Sequence, residues 1–304
     1  MFIIKHRIFF VSLSALFVLT GLTLVWMYGL NPGTDFKGGA IYEVEYVGAR
    51  PNIELVRSEV NKLNLGSVSV TPVGDKGVLI KTKPITQTEK QAIALAITGQ
   101  SSTTDATTTG SVIEKRFSSI GPAVGQELFK KGILAIALVM IVIILFIALA
   151  FSKVSYMVSS WKYGVVTIIA LFHDIIIASG VAAYLGYFGT FEADALFLTA
   201  LLTIMALSVN DTIVIFDRIR ENLKSRSGRD FEETVGISMN QSFVRSINTS
   251  LTVILTLVAL YLFGAESTKN FALIMAIGMF FGTYSSLFLA SPLLVIWEKA
   301  SKRG

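Results

Sequence analysis

The 304-residue sequence has no cysteine, only two histidines and few charged residues. Without cysteine, the chain can form neither a disulfide framework nor a thiolate metal site. His6 and His173 leave little for a histidine metal site, so we expect no bound metal and no cofactor. Charged residues make up 15% of the chain, whereas about a quarter is usual for soluble domains. With 53% hydrophobic residues and a mean hydropathy of +0.65, this composition predicts a membrane protein.

Several functional signatures are also missing. The net charge is +5, but the basic residues are scattered and mostly flank apolar segments, which argues against a nucleic-acid partner. The sequence contains no G-x-x-x-x-G-K-[ST] loop for a nucleotide. It contains neither G-x-S-x-G nor H-E-x-x-H, the signatures of two hydrolase classes. These absences argue against an ATPase and against an enzyme in general.

Long apolar runs are the main feature that is present. Each is long enough to cross a bilayer as a helix, which takes roughly 18 residues or more. The first run exceeds the apolar stretch of a signal peptide and has no cleavage site after it, so we predict a retained span. The six runs lie near 8–30, 132–152, 163–187, 195–217, 244–263 and 270–297.

Basic residues next to the spans predict the orientation of the chain, because short cytoplasmic loops are enriched in Lys and Arg. They occur before the first span, in alternate loops and at the C-terminal end: Lys5, Arg7, Lys153, Lys162, Arg218, Arg220, Lys224, Arg226, Arg229, Lys299, Lys302 and Arg303. Both termini are therefore expected in the cytoplasm. The predicted organisation is a cytoplasmic N-terminus with the first span (1–30), an extracytoplasmic domain (31–131) and a five-span bundle (132–304).

The extracytoplasmic segment is long enough for one small domain. Its pattern predicts strands at 40–47, 67–73, 77–83 and 111–120 and helices at 52–63 and 86–97. Thr86, followed by Glu89 three residues later, indicates a helix N-cap. The order βαββαβ favours an α+β, ferredoxin-like unit. A low-complexity loop is expected at 98–111, and Asp35, Glu43, Glu45 and Glu54 are expected on solvated faces.

The stretch "GTDFKGG" follows the first span directly. Gly33, Gly38 and Gly39 surround Asp35 and Phe36. Glycines at this density predict a tight turn or a close approach of two backbones.

Four ionisable residues lie within the apolar runs, namely His173, Asp174, Asp211 and Arg245. Each is a functional hypothesis by default, because an unpaired charge at membrane depth costs at least ~2.5–3.5 kcal/mol. Asp211 precedes Asp217, at the start of a charged loop, by six residues, which places it roughly 9 Å inside that boundary in a helix. Arg245 follows the start of the next span at a similar depth. The two side chains are therefore expected to meet.

Asn210 and Thr212 flank Asp211, and Thr249 lies one helical turn after Arg245. We expect all five side chains to meet across the helix interface. An ionised Asp211 is stable beside Arg245, whereas a carboxylate left alone in the membrane favours a proton. Because arginine does not titrate usefully, the sequence predicts a proton carrier at Asp211 and a switch at Arg245.

Alternatives remain at this point. Asp211 and Arg245 can form a static polar clasp between helices. His173 and Asp174 are predicted either to serve helix packing or to act as a second stop in a proton relay.

The segment 230–243 has apolar residues at helical spacing and is predicted to be an amphipathic helix at the cytoplasmic interface.

Five motifs together resemble the SecF family of protein-export membrane proteins, within the resistance-nodulation-division (RND) superfamily. They are "GTDFKGG" (33–39), "IGPAVGQEL" (120–128), "ALFHD" (170–174), "SVNDTIVIFDRIREN" (208–222) and "YLFG" (261–264). The second motif adds Gly121, Pro122 and Gly125 to the structural positions. The resemblance implies six spans, as in half of an RND transporter, with a loop domain after the first.

The resemblance also implies a function. It is that of an accessory subunit which works with SecD at the SecYEG channel and uses the proton motive force to draw polypeptides across the bacterial inner membrane. Asp211, Arg245 and Thr249 fall on positions implicated in proton transport. Two alternatives stay open, a proton-coupled RND half-transporter for a small molecule and a non-transporting scaffold of the translocon. A small-molecule exporter is expected to carry a larger external region than this chain has.

Overall fold

The computed structural model describes residues 2–98, 112–150 and 159–301. Most of the predicted 98–111 loop, Lys153, Lys302 and Arg303 lie outside these residues. In chain order the elements are α1 (Phe2–Lys5), α2 (Arg7–Tyr28), α3 (Thr34–Lys37), β1 (Gly39–Tyr46), α4 (Ile53–Asn61), β2 (Ser69–Val73), β3 (Gly77–Thr82), α5 (Gln87–Thr98), β4 (Val112–Ile120), α6 (Pro122–Ala150), α7 (Ser160–Tyr187), α8 (Ala195–Lys224), α9 (Phe231–Phe263), α10 (Glu266–Tyr284), a π-helical segment (Ser285–Ala290) and α11 (Ser291–Ser301).

Within the described residues, six helices are long and apolar enough to cross a membrane, as predicted: α2, α6, α7, α8, α9 and the continuous helix Glu266–Ser301. Their ends extend beyond the apolar runs. Helix α6 begins at Pro122, α8 continues to Lys224, and α9 begins at Phe231. A helix does not stop at the end of its apolar run, because polar side chains tolerate helical geometry in water. The segment 230–243 is helical, as predicted, and forms the first part of α9; its position at the cytoplasmic interface stays a prediction.

The chain divides into two compact units, Met1–Asn31 with Ile133–Gly304 and Pro32–Gly132. In the first unit, α2 and α7 cross with their backbones in close contact. A Cβ atom on Gly180 would lie 2.6 Å from Cα of Gly21, and one on Gly21 would lie 2.9 Å from the carbonyl oxygen of Ile176. Small residues permit this approach in the same way at other membrane helix crossings.

The last span contains a π-helical turn between α10 and α11. Pro292 follows it at the second position of α11. Proline has no N–H to donate and its ring crowds the carbonyl four residues earlier, so the wider π turn accommodates it. Ser285 and Ser286 at the start of this turn are fully buried, which places two hydroxyls inside the bundle.

Ion pairs hold together the end of the bundle at which α2 and α9 begin. Glu232 accepts hydrogen bonds from Arg7, at 2.5 Å, and from Lys299. Lys162 at the start of α7 pairs with Glu298 near the end of α11 at 2.9 Å, and both side chains are buried. These ion pairs connect four helices, α2, α7, α9 and α11.

The second unit has the predicted element order βαββαβ. Its four strands form an antiparallel sheet in the order β2-β3-β1-β4, which is consistent with a ferredoxin-like unit. The predicted cap of α5 is confirmed, because the Thr86 N–H donates to Glu89 at 2.7 Å and the Glu89 N–H donates back to the Thr86 hydroxyl at 3.3 Å. The backbone and then the hydroxyl of Thr86 hold the pKa of Glu89 below its usual value.

The two glycine motifs of the second unit pack on each other. Gly38 has a φ of +82°, and a Cβ atom there would lie 2.8 Å from the backbone of Pro122. A Cβ atom on Gly125 would lie 2.7 Å from the carbonyl oxygen of Phe36. The predicted close approach is therefore between "GTDFKGG" and "IGPAVGQEL".

The remaining motif residues have different surroundings. Gly33 precedes α3, and a Cβ atom on Gly39 would lie 2.9 Å from the carbonyl oxygen of Thr82. Gly121 faces open space. Asp35 was expected on a solvated face and is instead buried, because α3 folds it under the contact between the two motifs.

Candidate functional site

The acidic residue singled out in the fourth span, Asp211, lies in the middle third of α8. Its carboxylate is mostly buried, and the side chains that act on it are Ser246 and Arg245, both on α9. The predicted meeting of α8 and α9 at this level is thus present. It also involves Ser246, which the sequence analysis did not single out.

The contact between these side chains is loose. Oδ2 of Asp211 and Oγ of Ser246 are both buried, and neither has a hydrogen-bond partner of good geometry among the described residues. Arg245 acts on the carboxylate through its charge, but within the described residues the two form no ion pair. A buried carboxylate oxygen without a hydrogen bond is costly to retain. The proton-transport prediction requires such an oxygen beside a positive charge, and Asp211 and Arg245 supply both.

The other predicted members of the cluster point elsewhere. Asn210, Arg245 and Thr249 are exposed on the surface of the isolated chain. Thr212 is buried on a different face of α8, where its hydroxyl lies 2.8 Å from that of Ser286 and donates to the Ser208 carbonyl at 3.1 Å. The structure therefore brings Asp211 near Arg245 and does not bring Thr212 to either.

A second polar cluster surrounds Asp174, which is completely buried on α7. Its Oδ2 accepts hydrogen bonds from Ser208 of α8 at 2.5 Å and from Ser285 of the π-helical segment at 3.0 Å. Its Oδ1 lies 2.9 Å from Nδ1 of His173. Three helices thus converge on one carboxylate.

His173 is buried beside it. The imidazole ring stacks on Tyr284 with a centroid distance of 6.0 Å and contacts Phe281 edge-on at 6.3 Å. When Asp174 is ionised, its carboxylate only accepts hydrogen bonds, and Nδ1 then carries the proton toward it. Nε2 is buried and has no hydrogen-bond partner among the described residues.

One turn of α8 connects the two clusters. Ser208 binds Asp174, Asp211 faces α9, and Thr212 meets Ser286. Sequence analysis missed Ser208, Ser285, Ser286 and Ser246, because single serines are common in membrane helices. The signal that was available is the density of hydroxyls in "TYSSLFLASP" (283–292), which interrupts an otherwise apolar run next to a proline.

Comparisons with known proteins agree with this architecture. The family described as "Protein export membrane protein SecD/SecF, C-terminal" matches residues 100–300, and the "SecD/SecF GG Motif" matches residues 24–49. The protein translocase subunit SecF of Thermobaculum terrenum is 42% identical over 97% of this chain and 93% of its own.

Longer relatives match over part of their length. The protein translocase subunit SecDF of Bacillus subtilis is 31% identical over 97% of this chain, which spans 37% of the SecDF length. The crystal structure of SecDF from Thermus thermophilus, a translocon-associated membrane protein, superimposes with a TM-score of 0.78 at 28% identity, covering 97% of this chain and 38% of that one. The chain is thus a multi-pass membrane protein that belongs to the SecF family, the accessory subunits of the Sec protein translocase.

Proposed function

We propose that this chain works with SecD to promote export of polypeptides through the SecYEG channel, driven by the proton motive force. The role is transport without a chemical step on a substrate. Asp211 carries the proton. When the carboxylate loses that proton, the positive charge of Arg245 neutralises it. The observation that carries the proposal is a buried carboxylate oxygen of Asp211 that has no hydrogen-bond partner among the described residues and lies next to the charge of Arg245.

The geometry supports a switch more than a static clasp. A clasp requires hydrogen bonds or an ion pair of good geometry, since desolvation of both charges otherwise exceeds their attraction. Asp211 and Arg245 have neither in this arrangement of the helices. A small shift of α8 against α9 would bring the guanidinium onto the carboxylate and release the proton, and the reverse shift would favour its return.

The exposed polar face of α9 supports a partner inside the membrane. Arg245, Thr249 and the neighbouring Asn210 of α8 are exposed in the isolated chain at positions within predicted spans. Polar groups at this depth avoid lipid and face another protein surface or a water-filled cavity. The SecDF relatives, of which this chain spans 37% and 38%, contain further chain that SecD supplies here in our proposal.

The proton motive force is sufficient for such a device. One elementary charge that crosses the membrane releases about 2.3 kcal/mol per 100 mV. A few protons per cycle would bias a conformational change of several kcal/mol.

The basic residues that flank the spans favour cytoplasmic termini in the bacterial inner membrane, with the α+β unit on the outer side, where it can contact the emerging polypeptide.

The test uses inverted membrane vesicles that contain SecYEG, SecD and this subunit, and it measures export of a secretory polypeptide with and without a proton gradient. We expect Asp211→Asn to abolish the stimulation by the gradient and to leave gradient-independent export unchanged, because an amide cannot carry the proton. Asp217→Asn is the matched control. It lies on the same helix, is exposed and pairs with Arg220 at 2.7 Å, and it should retain full stimulation. Wild-type stimulation in the Asp211→Asn vesicles would refute the proposal.

A further inference from the structure

The buried pair His173 and Asp174 has no role in the function proposed above, although it lies inside the bundle where three helices meet. Both side chains are at most 1% exposed. The described residues give them hydrogen bonds only from hydroxyls and from each other. Their one unpartnered polar atom is Nε2 of His173, which is fully buried.

The charge of this pair is unbalanced. An ionised Asp174 beside a neutral imidazole leaves a full negative charge in a fully buried site. Hydroxyl donors reduce the cost of that charge but do not cancel it. Tyr284 stacks on the imidazole, and Asp211 lies one turn from Ser208 along α8; neither side chain supplies a positive charge.

The neighbouring helices supply no cation either. Helix α2, which crosses α7, has a single basic residue, Arg7, and that residue pairs with Glu232. On α10, Gly282 lies against the pair, since a Cβ atom there would be 3.6 Å from Oδ2 of Asp174. The π-helical segment offers Ser285. One additional proton on the His173–Asp174 pair is the simplest way to neutralise it.

We propose that His173 and Asp174 form a second proton-binding site, with Nε2 of His173 as the atom that accepts the proton. Asp174 fixes the tautomer by accepting from Nδ1, so the free lone pair lies on Nε2. Protonation converts a net negative pair into a neutral imidazolium–carboxylate pair. The site rests on the proposed proton coupling and adds a second proton-carrying position to it.

Helix α8 couples this site to Asp211. Ser208 donates to Oδ2 of Asp174 from the turn that presents Asp211 to α9. A movement of α8 that brings Asp211 to Arg245 also changes the hydrogen bond that Ser208 donates to Asp174. Loss of the hydrogen bond from Ser208 makes the ionised form of Asp174 less stable and therefore favours protonation of the His173–Asp174 pair.

The protonation state can be read directly, because the chain has only two histidines. The complex with SecD is reconstituted in lipid with this subunit alone labelled with ¹⁵N-histidine. The exposed His6 is replaced by Asn, so that His173 gives the only imidazole signals. Solid-state NMR is then recorded across pH. We expect Nδ1 to stay protonated and Nε2 to change from bare to protonated as the pH falls. An Nε2 whose state is constant over the whole range in which the complex is assembled would overturn the proposal.

The functional arm uses His173→Asn in the export assay. The Asn amide can still donate toward Asp174 from the position of Nδ1, but it has no equivalent of Nε2. We expect loss of the gradient-dependent part of export at a normal level of assembled complex. His6→Asn is the matched control and should export as the wild type does. Full stimulation in assembled His173→Asn complexes would indicate a packing role and would also overturn the proposal.

The two proposals fail in different ways. If Asp211→Asn loses gradient stimulation and His173→Asn retains it, the second site is refuted and the proposed function stands. If Asp211→Asn retains stimulation, the proposed function itself is refuted. The NMR titration reads the protonation of His173 independently of export, so it tests the second site even where His173→Asn fails to assemble.

Discussion

Two carboxylates inside the same helix bundle have opposite surroundings. Asp174 is fully enclosed and binds two serine hydroxyls and an imidazole. Asp211 lies one helix away with a buried oxygen that has no close partner among the described residues, beside an arginine that is exposed in the isolated chain. The first holds three helices together, and the second lies at a surface where another protein can act on it.

The difference separates two uses of a buried charge. A satisfied carboxylate contributes to a specific packing of helices and is costly to remove. An unsatisfied one costs stability, and proteins retain such sites where the cost serves a function. We therefore expect changes at Asp174 to affect folding first and changes at Asp211 to affect coupling first.

The largest expected effect is on stability. Asp174→Ala leaves the hydroxyl of Ser208 and Nδ1 of His173 without their acceptor, while Ser285 keeps the Gly282 carbonyl; removing one member of a buried charged network costs about 3–5 kcal/mol. Asp211→Ala removes a group that lacks close partners and should cost much less. Thermal unfolding of the detergent-solubilised protein measures both variants, and equal shifts of the midpoint would contradict the comparison.

An intermediate effect is expected on accessibility. Because the chain has no cysteine, single-cysteine variants can be labelled without background. Thr249→Cys should react readily with a water-soluble maleimide in the isolated subunit and become protected when SecD is added. The adjacent Ser250 is buried and lies 2.5 Å from the hydroxyl of Thr283, so Ser250→Cys is the matched control and should stay unreactive in both states. Unchanged labelling of Thr249→Cys on addition of SecD would argue against the proposed interface.

The smallest expected effect concerns Glu89, a carboxylate exposed to water that serves as the reference for the buried carboxylates of Asp174 and Asp211. Glu89 caps α5, and its pKa is lowered by hydrogen bonds from Thr86. The contribution of the Glu89 carboxylate to the stability of α5 is therefore present at neutral pH and is lost as the pH falls through the lowered pKa. Hydrogen exchange in the first turn of α5, corrected for the intrinsic rate, should accelerate in acid. In Glu89→Gln this added pH dependence should be absent; if it persists, another group is responsible.

The sequence predicts the spans and the α+β unit well, because both signals are local. Apolar length identifies six spans, and strand alternation with the Thr86–Glu89 spacing identifies the order of elements and one helix cap. Helix ends are less predictable. Helix α9 begins at Phe231, well before the apolar run, since a helix continues through polar residues wherever packing supports it. The burial of Asp35 depends on a contact with a motif far along the chain, so no local pattern reveals it.

The candidate site is predictable in part. The depth argument pairs Asp211 with Arg245 because the helical rise is constant. It fails for Thr212, because consecutive helical residues point about 100° apart and cannot all face α9. Helical geometry alone would have excluded that grouping. Ser208, Ser285 and Ser286 are not predictable in this way, because the register of α8 against the last span depends on the π-helical turn before Pro292.

The crossing of α2 and α7 restricts which residues can occupy it. With only hydrogen atoms between the two backbones at Gly21 and Gly180, any larger side chain at either position would push the two helices apart. The first span is thereby packed directly against the helix that carries His173 and Asp174. The shift of α8 against α9 that we propose does not require this crossing to change.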